Sequence, residues 1–244
     1  MPKEEQTNAS QNHSWSFPDL LSVFKTKGYE FVFFDGLSKE HGQLALRHDI
    51  DFDTHLALQM AVIEKEFGIQ ATYFFLLRSE LYNPFSAADH KNILAIKALG
   101  HKISIHFDPT LYEDFHAGLE LEVKAFSTLF NEKVSIISLH RPNDFFQQFN
   151  EPILDIEHTY QSKYFRDIKY FSDSTGIWRF GHPADSEEFA ANKTLHVLIH
   201  PIWWMVDGEN NIEKLRKYFK QRVADLNNQF CLNSIPFRQI SDQV

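Results

Sequence analysis

The run Leu46-Arg47-His48-Asp49-Ile50-Asp51 places two carboxylates and a histidine directly behind an apolar stretch, Leu44-Ala45-Leu46. Such a stretch reads as a buried strand whose C-terminal end opens into polar groups. In parallel α/β folds, ligands and reacting groups gather at that end. Asp49 and Asp51 are two positions apart, so on a strand both side chains leave from one face. Two carboxylates on one face repel each other unless a cation or a shared proton relieves them.

Three other apolar stretches end in similar chemistry: His106-Phe107-Asp108, His140-Arg141-Pro142 and His200-Pro201-Ile202-Trp203-Trp204. In a parallel sheet or barrel these ends share one rim, so groups distant in sequence converge. Imidazole and carboxylate together suit Zn²⁺ or a similar divalent ion, with one position left open for water. Such an ion lowers the pKa of water and polarises a carbonyl oxygen. A nearby carboxylate can then take a proton while a histidine protonates the leaving group. No Cys-x-x-Cys, nucleophile elbow or glycine-rich phosphate loop competes with this reading.

Blander roles are expected for several neighbours. His48 points to the face opposite Asp49, where it hydrogen-bonds a neighbouring segment. His101, after Gly100, sits at a helix-to-strand turn and reads as structural. Arg47 and Arg141 suit as partners for acidic groups, and a buried Arg beside a carboxylate keeps it ionised. The segment Tyr170 to Ser174, with Asp173, and Trp178-Arg179 are compatible with a sugar-binding loop. Trp203 is a candidate to line a cleft.

The elements that must hold these groups alternate along the chain. Pro18 near its first turn marks a helix over Phe17 to Lys27. A helix from Thr54 to Phe67, with Thr54 as N-cap, follows the first strand and is closed by Gly68. Then come a strand over Ala71 to Leu77, a helix over Ala87 to Leu99 closed by Gly100, and a strand over Lys102 to His106. A helix over Asp114 to Phe130 and a strand over Val134 to Leu139 continue the pattern. Strands through Tyr170-Phe171 and Leu195 to Ile199 precede a final amphipathic helix, Asn211 to Gln229. Repeated strand–helix pairs predict a parallel sheet, either a barrel or doubly wound.

The 244 residues suit one domain with one sizeable core, residues 17–244, behind a polar, flexible tail over residues 1–16. A net charge of −9 argues against non-specific nucleic-acid binding. The single cysteine, Cys231, excludes an internal disulfide framework and suits a reducing compartment. No apolar run approaches the roughly 18 residues of a membrane-spanning helix, and the N-terminal residues lack the apolar core of a secretory signal. A cytoplasmic protein is the expectation.

In order and spacing, the motifs resemble the polysaccharide deacetylase family, the NodB-homology carbohydrate esterases. The resemblance runs from about Leu44 to Trp204. Its carriers are the Leu46–Asp51 run, Gly68-Ile69-Gln70-Ala71-Thr72-Tyr73-Phe74, Leu99-Gly100-His101-Lys102-Ile103-Ser104-Ile105-His106, His140-Arg141-Pro142 and Leu198-Ile199-His200-Pro201. It implies an α/β fold, a distorted (β/α) barrel of about seven parallel strands, and removal of an acetyl group from a sugar. It implies Asp49 as general base, Asp51 and His106 as ligands of a divalent metal, zinc, Arg141 as orienter of the base and His200 as general acid. The substrate would be a small molecule or glycan precursor.

Two departures stand out. The family's adjacent Asp-Asp pair is here Asp49-Ile50-Asp51, and its second metal histidine, four residues after His106, falls on Thr110. His140 is the first candidate for the third ligand and Asp108 the second. Alternatives are a metal-free C–N bond hydrolase of the same fold and an inactive barrel that binds glycan or protein.

Overall fold

Eight parallel strands make up the sheet of the computed structural model, which describes residues 15–39 and 42–240. The expected tail, up to residue 14, therefore lies outside the described residues. The strands are β1 (Glu30–Phe31), β2 (Gln43–Ile50), β3 (Thr72–Phe75), β4 (Lys102–Phe107), β5 (Ile136–Leu139), β6 (Glu157–His158), β7 (Lys169–Ser172) and β8 (Leu195–Ile199). Seven run in the order β6-β5-β4-β3-β2-β8-β7, with β1 added beside the start of β2. Every pairing is parallel. No pairing joins β6 to β7 among the described residues, so the single α/β domain is a curled, open barrel.

Helices cover the outside: α1 (Phe17–Lys27), α2 (Thr54–Glu66), α3 (Ala87–Ala98) and α4 (Phe115–Phe130). α1 starts at Ser16, whose side chain and that of Asp19 form a reciprocal capping box, and ends at Gly28 with φ +90°. It buries Phe17, Leu20, Leu21 and Phe24, each contributing about 1.5–3 kcal/mol. The expected cap of α2 is corrected by one position. Asp53 accepts from the amides of His55 and Leu56, while the Thr54 hydroxyl donates to Asp89 on α3.

β2 is buried along nearly its whole length because both faces are covered. Its outer face carries His48, which bonds Glu64 of α2 at 2.7 Å, and Glu64 also accepts from the Tyr73 hydroxyl at 2.6 Å. His101 completes this layer, with Nε2 on the Ala61 carbonyl and Nδ1 accepting from the Ala71 amide. Both histidines thus tie α2 to the sheet. The inner face carries Arg47 and Asp49, and the Arg47 guanidinium lies over the rings of Phe74 and Tyr160.

Short helices follow the later strands: α5 (Asp144–Gln148), α6 (Ser162–Phe165), α7 (Glu187–Ala190) and α8 (Ile202–Met205). The chain then runs through α9 (Asn211–Asn233) and α10 (Ile235–Arg238). α9 is four residues longer than its apolar pattern predicted, and its end is set by Ser234, which caps α10.

Candidate active site

Parallel pairing brings the C-terminal ends of β2, β4, β5 and β8 to one rim, and five of the groups expected from the sequence meet there. The ring Nε2 of His106 lies 3.3 Å from Asp51 Oδ1 and 3.7 Å from Asp49 Oδ2. His140 Nδ1 faces the same nitrogen at 3.0 Å and Asp51 Oδ1 at 3.6 Å. On the far side, His200 Nε2 stands 3.9 Å from Asp51 Oδ2. A shallow hollow opens here between the Asp49–Asp53 segment and His200, Pro201 and Ile202.

The backbone is pinned beneath these groups. The Tyr82 hydroxyl donates to the Ile50 carbonyl at 2.8 Å and accepts from the Leu76 amide at 2.7 Å, locking the ends of β2 and β3 together. The His140 amide donates to the Phe107 carbonyl at 2.7 Å, which holds the end of β5 against β4.

Asp49 is almost fully buried, which by itself would favour the neutral acid. The charge of Arg47 outweighs this and holds the carboxyl well below its usual range, with His106 adding to the effect. Arg47 donates from Nε and Nη2 to both oxygens at 2.9 and 2.6 Å. Arg141, the expected orienter, lies exposed with φ +48°, in the left-handed region. The structure thus puts Arg47, and not Arg141, on the carboxylate of Asp49.

His200 is fixed by Asp173. Its Nδ1 lies 2.7 Å from Asp173 Oδ1, and its amide donates to the same carboxylate at 3.0 Å. Burial would lower the pKa of the ring, but the bond to Asp173 and its charge raise it to about 9. Asp173 Oδ2 also accepts from the Trp204 indole at 2.7 Å. Asp173, expected to contact a sugar, is buried behind His200 with its oxygens turned to His200 and Trp204. Trp203 is half-buried, with its ring against Gly176. A Cβ on that glycine, φ +78°, would approach the Trp203 ring to 3.1 Å and Asn211 to 2.6 Å, so only glycine suits the turn.

The donors fit a divalent ion. Asp51, His106 and His140 each offer one ligand atom, all within 4.8 Å of one another. Asp51 Oδ1 is buried without a hydrogen-bond partner, a costly state that a cation would relieve. His106 Nδ1 is occupied by the Ser138 hydroxyl at 2.6 Å, leaving Nε2 turned to the cluster. Three protein donors with an open side suit a catalytic zinc site. Asp108, the alternative donor, instead accepts from the amide and hydroxyl of Thr110 at 2.9 and 2.6 Å. Thr110 thus engages Asp108 Oδ1.

Sequence reasoning did not find the roles of Ser138 and Trp204. A signal for Ser138 was present, because it sits two residues before His140 and so on the same face of β5. A larger hollow lies at the opposite end of the sheet among Thr72, Lys102, Ile136 and Glu157. Its cations are paired, Lys102 with Asp35 and Lys163 with Glu157, so it presents no free charge to a ligand.

Fold and site together define an open (β/α) barrel with an arginine-bound carboxylate, a carboxylate-bound histidine and a three-donor cluster on its C-terminal rim. No protein-family model matches the chain, and no curated protein matches it. Among solved structures, the chain is similar to the peptidoglycan deacetylase PdaC from Bacillus subtilis, at 10% identity over 85% of this chain and 87% of that one, TM-score 0.42. A family 4 carbohydrate esterase from Bacillus anthracis is 13% identical over 84% of this chain and 86% of that one, TM-score 0.44. The Streptococcus pyogenes deacetylase PplD, in complex with acetate, is 13% identical over 82% and 84%, TM-score 0.43. The likeness is one of fold outline, and the roles of individual residues rest on the geometry of the site itself.

Proposed function

We propose that this protein is a metal-dependent hydrolase that removes an acetyl group from the nitrogen of an amino sugar or glycan precursor. The observation that carries the reading is the opposed setting of two groups across one small hollow. Asp49 is held as a carboxylate by Arg47, and His200 is held as an imidazolium by Asp173. Amide hydrolysis needs both, a base for the attacking water and an acid for the departing nitrogen.

Asp51, His106 and His140 would hold the ion, zinc on the chemistry of the donors. When bound, it supplies Lewis acidity toward the acyl oxygen. Asp49 takes the proton of the attacking water, and Arg47 keeps its carboxylate oriented and ionised. His200 donates from Nε2 to the leaving amine while Asp173 and Trp204 fix its ring. The sugar part of the substrate rests on the motif resemblance. A cytoplasmic setting is supported by the lone free cysteine, Cys231.

Acetate release from N-acetylated sugars, with and without chelator, tests the proposal. Release that stops with chelator and returns with zinc is expected. A zinc-loaded protein inactive on every acetylated amine offered would refute it.

A further inference from the structure

α9 touches the barrel through polar bonds while its apolar side faces outward. Tyr218, its one buried residue, donates to the Phe52 carbonyl at 3.0 Å. Arg222 donates to the Leu81 carbonyl at 2.8 Å, and Asn211 to that of Thr175 at 2.7 Å. These acceptors lie in the segments after β2, β3 and β7, so α9 is laid across the same rim as the candidate active site. Ile212, Leu215, Phe219, Val223, Leu226 and Phe230 recur at intervals of three and four along it and are 36 to 68% exposed. That spacing puts them in one stripe.

Other loops of the rim are apolar and exposed too. Leu81, Phe85, Leu111, Ile177 and Phe180, in the segments after β3, β4 and β7, are 43 to 62% exposed. Exposed apolar side chains gathered on one rim are the kind of surface used for interaction. Its charge says what kind. α9 holds five cations, Lys214, Arg216, Lys217, Lys220 and Arg222, against two acids, Glu213 and Asp225, in a chain of net charge −9. At 3.6 residues per turn, Arg216 and Lys220 flank the stripe on one side and Arg222 on the other. A parallel pair of such helices would set cations against cations, and an antiparallel pair would offer the basic half only Asp225. The complement is an anionic, apolar surface.

We propose that this rim, α9 foremost, docks on an anionic lipid surface, and that the substrate is a lipid-anchored amino sugar presented there. The second half rests on the proposed deacylation; the first does not. Helices with an apolar stripe and basic flanks lie in the headgroup plane. No described helix is long and apolar enough to cross a membrane.

Flotation of the full chain with vesicles tests the docking. Phosphatidylcholine vesicles with one third phosphatidylglycerol should carry the protein, pure phosphatidylcholine should carry little, and high salt should release it. Arg216→Gln with Lys220→Gln should weaken binding by about thirtyfold, at roughly fivefold per charge near the surface. Phe219→Glu with Val223→Glu should abolish flotation without changing the unfolding temperature, since both side chains are exposed. Wild type that does not float, a Glu pair that floats as well as wild type, or a dimer in solution that the Glu pair dissolves would overturn the proposal. The dimer would assign the stripe to a second copy.

Acetate release separates the two halves. The Glu pair should slow release from an N-acetylglucosaminyl lipid in those vesicles by about tenfold or more, through lost effective concentration, and leave release from a soluble N-acetylated sugar unchanged. Equal rates on both substrates would overturn the lipid-anchored substrate. Flotation with release from neither would refute the deacylation and leave the docking supported.

Discussion

Arg47 and Asp49, two residues apart on one strand, form a buried two-pronged ion pair with separations of 2.9 and 2.6 Å. The alternation of β2 sends both side chains into the barrel, where the planar guanidinium matches the carboxylate. The Asp49 carboxylate is therefore held charged and oriented by its own strand.

Breaking this pair leaves a buried carboxylate without a counter-ion. Arg47→Met should destabilise the fold by about 3–5 kcal/mol, read from urea denaturation. Arg47→Lys keeps the charge but loses the fork, so its loss should be smaller. A Met variant as stable as wild type would show that Asp49 is neutral in the native state.

Metal affinity should depend on the serine behind His106. Ser138→Ala removes the acceptor or donor on His106 Nδ1, and zinc affinity measured by titration calorimetry should fall about 10–100-fold. His140→Ala should weaken binding further. Unchanged affinity in the His140 variant would remove that ring from the ligand set.

The acid should respond to Asp173. A general acid must be protonated, so activity is lost as pH rises through its pKa, and the bond to Asp173 places that of His200 at about 9. Asp173→Asn should move the alkaline limb of the kcat profile to lower pH and reduce kcat, within the roughly 10²–10⁴-fold that positioned proton transfer contributes. An unmoved limb would assign it to another group.

Glu122 should make stability fall between mildly acidic and neutral pH. Burial raises its pKa from 4.5 to about 7, and Oε2 has no hydrogen-bond partner. The native state then holds a proton that the unfolded state has released, so wild-type stability falls as pH rises through this interval. Glu122→Gln should be more stable above about pH 7, by up to roughly 3 kcal/mol, and should converge with wild type below the ordinary glutamate range. Equal unfolding midpoints at pH 8 would contradict an acid raised by burial.

Much of this molecule is determined by local sequence. β8 (Leu195–Ile199) and α1 (Phe17–Lys27) have the limits their patterns predict, because apolar runs and capping residues are local properties. β1 and β6, two residues each, carry no such pattern and exist only through their parallel neighbours. The chemistry at the strand ends was legible for the same local reason: Asp49, Asp51, His106, His140 and His200 each end an apolar run. Their partners were decided by tertiary structure. Arg47 in place of Arg141 on Asp49, Asp173 behind His200, and Asp108 turned to Thr110 depend on which side chains the curled sheet brings within bonding distance. Residue types state what chemistry is available; distances across the barrel, which no local pattern encodes, decide which groups perform it.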